Sequence, residues 1–134
     1  DNFDEFYKEY GVKSVSKEEL LKNSDIVTLH TPLDDSTRGM LNFERLSLMK
    51  SDAILINIAR GDLVDEIALK KMLMSGKLSG AAFDVFATEP PVDKELLELS
   101  NFIVTPHIGG SSKEAILAMG RAAIFGLEAD ESSK

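Results

Sequence analysis

Ala53-Ile54-Leu55-Ile56-Asn57-Ile58 is a nearly unbroken apolar run in the middle of a chain of 134 residues. Such a run is typical of a central strand in a parallel sheet, because helices cover that strand on both faces. It leads directly into Ala59-Arg60-Gly61, which puts a charged side chain just past the end of the strand. Ligands of open parallel sheets bind beyond these carboxyl ends. The stretch therefore predicts a parallel α/β fold with a ligand site near Arg60.

The segments on either side repeat strand and helix in alternation. Further strands are predicted at residues 26–30, 80–85 and 102–104, which are short and rich in apolar residues. Capping residues and apolar positions at helical spacing predict helices between and after them. This alternation is typical of an open parallel α/β sheet. The predicted helices follow Ser16, Asn42, Asp65, Asp93 and a capping box at residues 111–114, and a connector with a short strand near residues 13–15 precedes the first helix.

Apolar residues at helical spacing predict the buried face of three of these helices. A glycine, Gly76, stands where the helix after Asp65 is expected to end. The predicted buried stripes are Phe43, Leu46 and Met49 after Asn42; Ile67, Leu69, Met72 and Leu73 after Asp65; and Ile116, Met119, Ala123, Ile124 and Leu127 in the last helix.

Composition narrows the functional classes. The 43% hydrophobic fraction is ordinary for a globular domain, and we place no domain boundary inside residues 1–134. The formal net charge of −8 argues against nucleic acid or an anionic membrane surface as a partner. The absence of cysteine excludes disulfides, thiolate catalysis and Cys-based zinc sites, and no metal site is predicted. No apolar run approaches the ~20 residues that cross a bilayer, so the predicted location is the cytoplasm.

Three side chains of different chemical type follow predicted strands, namely Arg60, Glu89 and His107. A cation, a carboxylate and an imidazole at one sheet edge can bind an anionic substrate and move a proton. Each also has a simpler explanation, as a turn arginine, a loop acid or a strand-end histidine. Asp84 lies in an apolar run, where an unpaired carboxylate is costly, so we expect it to have a partner or a ligand.

Two further features remain open from the residues alone. The Gly109-Gly110 pair before the last helix either offers backbone N–H groups to an anion or simply forms the turn. His30 lies in a predicted strand, and we interpret it as a packed and hydrogen-bonded histidine.

Four stretches together resemble the NAD-dependent D-2-hydroxyacid dehydrogenase family, and the resemblance covers essentially the whole chain. The motifs occur in the family's order and with similar spacing. Within the family, Pro106-His107-Ile108-Gly109-Gly110 followed by Glu114 looks most like the phosphoglycerate dehydrogenase branch. The four stretches are residues 24–33, 57–66, 80–90 and 105–110.

The resemblance implies a role for each of the three side chains. The arginine that matches Arg60 holds the substrate's carboxylate and carbonyl, a task that suits the planar guanidinium. The histidine that matches His107 gives a proton to the carbonyl oxygen as hydride arrives from the nicotinamide, and takes it back in oxidation. The acid that matches Glu89 pairs with this histidine and stabilises imidazolium. The related formate dehydrogenases have glutamine in place of this acid, so the resemblance to the formate dehydrogenases is disfavoured.

The resemblance also implies NAD as the cofactor. Thr31, Ile58 and Asp84 match residues around the ribose and nicotinamide, with Asp84 accepting from the carboxamide. Asp1 falls where the family has its ribose-binding acid, which favours NAD over NADP because an acid repels a 2′-phosphate. The implied cofactor-binding set is Asp1, Thr31, Pro32, Ile58, Ala59, Asp84, His107, Ile108, Gly109 and Gly110.

The family's glycine-rich phosphate turn, its first βα unit and its substrate domain have no counterpart in this sequence. We therefore expect residues 1–134 to be the C-terminal portion of a Rossmann-like NAD-binding domain. The parent is expected to be a homodimeric oxidoreductase acting on a small D-2-hydroxy or 2-keto acid, with 3-phosphoglycerate one candidate. The alternatives are a glyoxylate or hydroxypyruvate reductase, a non-catalytic module like the corepressors built on this framework, and a truncated NAD-binding module.

Overall fold

The computed structural model describes residues 3–131, and it contains one parallel sheet. Leu55 in the second strand pairs with Val27 on one side and Ala81 on the other. The spatial order follows the chain order, and all pairs are parallel. The predicted α/β sheet is therefore confirmed, with strands slightly shorter than predicted. The strands are β1 Ile26–Leu29, β2 Ile54–Asn57, β3 Gly80–Phe83 and β4 Phe102–Val104.

Helices connect and follow the strands. The predicted caps at Ser16, Asn42, Asp65 and Asp93 each accept a hydrogen bond from the backbone N–H three residues on, which confirms these helix starts. In the described part of the chain the helices are α1 Asp4–Tyr10, α2 Lys17–Asn23, α3 Phe43–Leu46, α4 Glu66–Met74, α5 Lys94–Leu97 and α6 Lys113–Glu131, with a 3-10 turn at Gly61–Leu63.

Two local predictions near the chain ends were wrong. The connector before Ser16 contains helix α1, and residues 13–15 form no strand. The cap of α6 is Ser112, whose hydroxyl accepts from the N–H of Ala115 at 3.1 Å, and not Ser111. The chain thus enters α6 one residue later than the capping-box pattern predicted.

The hydrophobic core lies on one face of the sheet. Val27, Leu55 and Phe83 are buried there, against side chains from α2, α3, α4 and α5. The other face is open in the described part of the chain, where Ile26 is 59% and Ile103 is 68% exposed. The expectation that β2 is covered on both faces was therefore wrong, because no described helix packs over this second face.

The predicted helix stripes are only partly correct. Leu46, Met49, Leu69, Met72 and Leu73 are buried as predicted. Side chains predicted to be buried but found exposed are Phe43, Ile67, Ile116, Met119 and Ile124. Ala123 is also exposed, and the side chain of Leu127 lies outside the described residues.

Among the described helices, none combines the length and the apolar character that crossing a membrane requires.

Candidate active site at the carboxyl edge of the sheet

The predicted site residues lie on one edge of the sheet, where all four strands end. Thr31 lies beyond β1, Arg60 beyond β2, Asp84 at the end of β3 and His107 beyond β4. Glu89 lies in the loop after β3. Because the strands are parallel, their carboxyl ends share this edge, which is where ligands of such sheets bind.

Glu89 and His107 form a direct pair. Nδ1 of His107 lies 2.7 Å from Oε2 of Glu89, and Oε1 of Glu89 accepts from the N–H of Phe86 at 3.0 Å. The hydrogen bond from His107, aided by that from Phe86, lowers the pKa of Glu89. Within the described part of the chain nothing bonds to Nε2 of His107, whose side chain is 48% exposed. Glu89 can therefore hold the ring through Nδ1 and leave Nε2 for a ligand.

Asp84 fixes the loop that carries His107. Its Oδ1 accepts from the hydroxyl of Thr105 and from the N–H of Ile108, and its Oδ2 accepts from the N–H of Gly109 at 2.9 Å. Burial acts to raise its pKa, but these hydrogen bonds outweigh burial and lower it. The prediction of partners for this carboxylate is confirmed. His107, inside the turn so formed, has a positive φ of 54°.

The glycine pair next to His107 serves the turn. The N–H of Gly109 donates to Asp84, so this group satisfies an internal carboxylate. A Cβ at Gly109 would lie 3.1 Å from Oδ2 of the same carboxylate, which is a tight contact. A Cβ at Gly110 would meet nothing within 4 Å. Of the two interpretations of the glycine pair, formation of the turn is the one that fits Gly109.

Arg60 lies in a separate cleft of about 560 Å³, which it shares with Thr31, Pro32 and Ala59. Its Nη1 donates to the carbonyl of Ala59 at 2.6 Å, while its own carbonyl accepts from the buried side chain of Asn57 at 2.9 Å. Among the described residues, no hydrogen bond or ion pair joins Arg60 to the Glu89–His107 pair. The structure thus brings two of the three side chains into contact and leaves the third in the neighbouring loop.

His30 also lines this cleft. It follows β1 and is exposed, and its Nε2 lies 3.0 Å from the hydroxyl of Thr28. The predicted hydrogen bond is present, but the expectation of a packed histidine inside the strand was wrong because β1 ends at Leu29.

Five of the ten predicted cofactor residues line two hollows of this edge. Thr31, Pro32 and Ala59 line the Arg60 cleft. Ile58 and Asp84 line a smaller hollow of about 70 Å³. Asp1 lies outside the described residues. The part of the chain that the structure describes contains no cluster of side chains that could hold a metal ion.

Two residues that had no predicted role connect the Arg60 loop to the Glu89 loop. A Cβ at Gly61 would lie 1.9 Å from the carbonyl carbon of Phe86, so only glycine permits this backbone approach. Oε1 of Glu66 accepts from the N–H of Ala87 at 2.7 Å. Neither contact has a signal in a single sequence, because each joins segments more than 20 residues apart.

Comparison with known proteins adds relatives to this geometry. The sequence profile of the "D-isomer specific 2-hydroxyacid dehydrogenase, NAD binding domain" matches residues 2–109. D-3-phosphoglycerate dehydrogenase of Bacillus subtilis (strain 168) is 49% identical over 110 residues, which cover 82% of this chain and 21% of the relative. Glyoxylate reductase of Pyrococcus furiosus is 51% identical over 112 residues, which cover 84% of this chain and 33% of the relative.

Among solved structures, the fold matches the NAD-complexed form of the D-isomer specific 2-hydroxyacid dehydrogenase from Lactobacillus delbrueckii ssp. bulgaricus. The TM-score is 0.80 at 32% identity, and the match covers 93% of this chain and 42% of that one. The chain therefore spans between about a fifth and two fifths of the length of these relatives.

Proposed function

This chain belongs to the D-isomer-specific 2-hydroxyacid dehydrogenase family, and we propose that the full-length protein transfers hydride between NAD(H) and a small D-2-hydroxy or 2-keto acid. Its sheet has the Rossmann-like form of the family's NAD-binding domain. The observation that carries the proposal is the contact of 2.7 Å between Glu89 and His107 at the carboxyl edge of that sheet.

The Glu89–His107 pair is suited to acid–base chemistry. Because its pKa is lowered, Glu89 stays ionised near neutral pH and can accept a hydrogen bond from Nδ1 of His107, which orients the ring. In reduction, Nε2 of His107 gives its proton to the substrate's carbonyl oxygen; in oxidation it takes the proton back from the hydroxyl. Bound NAD(H) supplies or accepts the hydride.

Arg60 is proposed to anchor the substrate. In the described part of the chain its exposed guanidinium makes one hydrogen bond, to the carbonyl of Ala59, and a guanidinium has five N–H donors. The remaining donors suit the planar, bidentate recognition of a carboxylate. A small 2-hydroxy acid carries this carboxylate next to the reacting carbon, so Arg60 would orient the substrate as well as hold it.

The residues present also fit a nicotinamide cofactor. Asp84 receives three internal donors, and a carboxylate offers about four acceptor sites, so one site remains for the carboxamide N–H. The remaining proposed contacts come from the partly buried Ala59 and from exposed residues of the same edge, namely Thr31, Pro32, Ile58, His107, Ile108, Gly109 and Gly110. NAD is proposed over NADP because of the acid at Asp1, and a comparison of NADH with NADPH tests this preference.

The test is NADH oxidation by the full-length protein with hydroxypyruvate, glyoxylate or phosphohydroxypyruvate. His107→Gln and Glu89→Gln should each lower kcat by about 10²- to 10⁴-fold, the contribution of a positioned acid–base group. Glu98→Gln, an exposed glutamate that follows α5, is the matched control and should leave kcat unchanged. Wild-type turnover by His107→Gln would refute the proposal.

The same assay orders the candidate substrates by kcat/KM. A preference for phosphohydroxypyruvate would favour the 3-phosphoglycerate reaction, and a preference for the other two acids would favour a glyoxylate or hydroxypyruvate reductase. Wild-type protein without turnover on any of the acids, despite NADH binding, would favour a non-catalytic module.

We also propose that the full-length protein is a cytoplasmic homodimer with no nucleic-acid or membrane partner. The net charge of −8 in residues 1–134 supports the absence of nucleic-acid and anionic membrane partners, because an acidic surface repels polyanions. Light scattering after size-exclusion chromatography tests the dimer.

A further inference from the structure

Glu66 contacts the loop that carries Glu89 without touching Glu89 or His107. It is the first residue of α4, and its Oε1 accepts from the N–H of Ala87 at 2.7 Å. The preceding N–H, that of Phe86, donates to Oε1 of Glu89. Two consecutive N–H groups are thus held by two carboxylates, one inside the proposed catalytic pair and one outside it.

Gly61 limits the same backbone from the side of the Arg60 loop. A Cβ at this glycine would lie 1.9 Å from the carbonyl carbon of Phe86 and 2.2 Å from the nitrogen of Ala87. The backbone of Phe86 and Ala87 therefore lies against Gly61 and is bonded to Glu66. A shift of this backbone would carry Glu89 with it, because Glu89 follows two residues later and bonds back to Phe86.

The surroundings of Glu66 are unfavourable for a carboxylate. Burial raises its pKa, and the carboxylates of Asp62, Asp93 and Asp65 raise it further, whereas the Ala87 N–H opposes these effects. Asp62 has Arg38 as its cation and Asp93 has Lys70, but no described cation pairs with Glu66. Among the described residues, the N–H of Ala87 is the hydrogen-bond donor that this carboxylate has.

We propose that Glu66 is a positioning residue, which holds the Phe86–Ala87 backbone through the Ala87 N–H so that Glu89 meets Nδ1 of His107. This inference rests on the function proposed for the Glu89–His107 pair. Glu66 would set the alignment of that pair and would contact neither the substrate nor the reacting atoms.

Two substitutions in the full-length protein separate the effect of the length of the Glu66 side chain from the effect of its charge. Glu66→Gln keeps an acceptor oxygen at the same distance and removes the charge, whereas Glu66→Asp keeps the charge but is one methylene too short to reach Ala87. We expect Glu66→Asp to lower kcat about tenfold, since a misplacement of about 1 Å costs up to a hundredfold, with the KM for NADH within about twofold of wild type. Glu66→Gln should retain most of the wild-type kcat.

The pH profile of kcat in the reduction direction is the second readout. The charged groups that face Glu89 are His107, which lowers its pKa, and Asp84, which raises it. If Glu66→Asp loosens the bonds from His107 and Phe86, the pKa of Glu89 rises and the acid limb of the profile moves to higher pH. The limb should stay in place in Glu66→Gln. A purely structural loss would lower the plateau and leave the limb unmoved.

The outcomes separate the two proposals. Wild-type turnover by His107→Gln would overturn both. An inactive His107→Gln together with a Glu66→Asp variant of wild-type kcat and unmoved limb would overturn only the role of Glu66. Loss of activity in Glu66→Gln with an unaffected Glu66→Asp would also overturn it, because the charge and not the reach would then matter.

Discussion

The Glu89–His107 region and the Arg60 region share one sheet edge but are held in different ways. Glu89 is fixed by two hydrogen bonds, and the loop around His107 is fixed by the bonds to Asp84. Within residues 3–131, the one hydrogen bond of the Arg60 guanidinium goes to the carbonyl of its neighbour Ala59. The described chain therefore aligns the proposed acid–base pair by itself, whereas the guanidinium is left free to adjust to a ligand.

The difference originates in two buried polar side chains at the ends of β2 and β3. Asn57 bonds to the carbonyl of Arg60 and to the N–H of Ala59, so it orders the backbone of that loop and leaves the arginine side chain unconstrained. Asp84 bonds across to the segment after β4, so it ties two loops together. A side chain that bonds only within its own loop cannot fix a neighbouring loop.

Among the changes that test this comparison, removal of the Arg60 guanidinium has the largest expected effect. Arg60→Ala in the full-length protein should lower kcat/KM for the keto acid roughly a thousandfold, about 4 kcal/mol, because a charge-assisted bidentate contact is lost. The Kd for NADH should stay nearly unchanged. Steady-state kinetics with fluorescence titration of NADH measures both quantities.

Arg60→Lys keeps the charge without the bidentate geometry and should fall between wild type and Arg60→Ala. Arg121→Ala, on an exposed part of α6, is the control and should behave as wild type. Equal losses of NADH and keto acid affinity in Arg60→Ala would contradict the assignment of Arg60 to the substrate.

The second prediction concerns the contact that links the two regions. Gly61→Ala should lower the free energy of unfolding by about 3 kcal/mol, the upper end for overpacking, because its Cβ would overlap the backbone of Phe86. Gly120→Ala on α6 is the matched control, since its Cβ would meet nothing within 4 Å; it should gain about 0.5–1 kcal/mol. Urea denaturation measures both. A Gly61→Ala protein as stable as wild type would show that the loops do not depend on this approach.

The third prediction concerns the hydrogen bonds that Asp84 accepts from the loop around His107. Asp84→Asn puts an amide where three donors converge, and at least one N–H then loses its acceptor, so unfolding should become easier by about 1–3 kcal/mol at pH 7. The folded state lowers the pKa of Asp84 below 3.8, so the stabilisation is complete above that pH and is lost as pH falls through the folded pKa. Urea denaturation at pH 7 and pH 3 checks that the difference between the two proteins shrinks. A difference that persists at the lower pH would contradict the ionic origin of this stabilisation.

The sequence predicted those parts of the fold that local chemistry determines. Each confirmed cap, at Ser16, Asn42, Asp65 and Asp93, bonds only three residues along the chain. The shared edge of the strand ends also followed, because parallel strands joined by helices end on the same side of the sheet. The sequence did not predict that α6 and one face of the sheet are exposed. The spacing of apolar residues shows which face of an element is apolar, but it does not show what packs against that face.

The candidate site was predictable to a similar depth. Arg60, Glu89 and His107 were found as polar residues after strands, and only the family resemblance paired the last two. Gly61 and Glu66 were missed because their contacts, with Phe86 and Ala87, cross between loops. No periodicity or spacing in one sequence records such a contact.

The smallest expected effect is that of Glu66→Gln on the stability of the protein. It separates the role of Glu66 in aligning the Glu89–His107 pair from its effect on the free energy of unfolding. Folding raises the pKa of Glu66 above 4.5, mainly by burial, so its neutral form supports the fold at low pH and this support is lost as pH rises through the folded pKa. Glu66→Gln should therefore be more stable than wild type at pH 7, by about 0.2–0.5 kcal/mol as for like-charged neighbours on helices. The two proteins should be equally stable at pH 3. Urea denaturation at both values tests this, and a Glu66→Gln protein that is less stable at pH 7 would mean that the carboxylate stabilises the Glu89 loop by its charge.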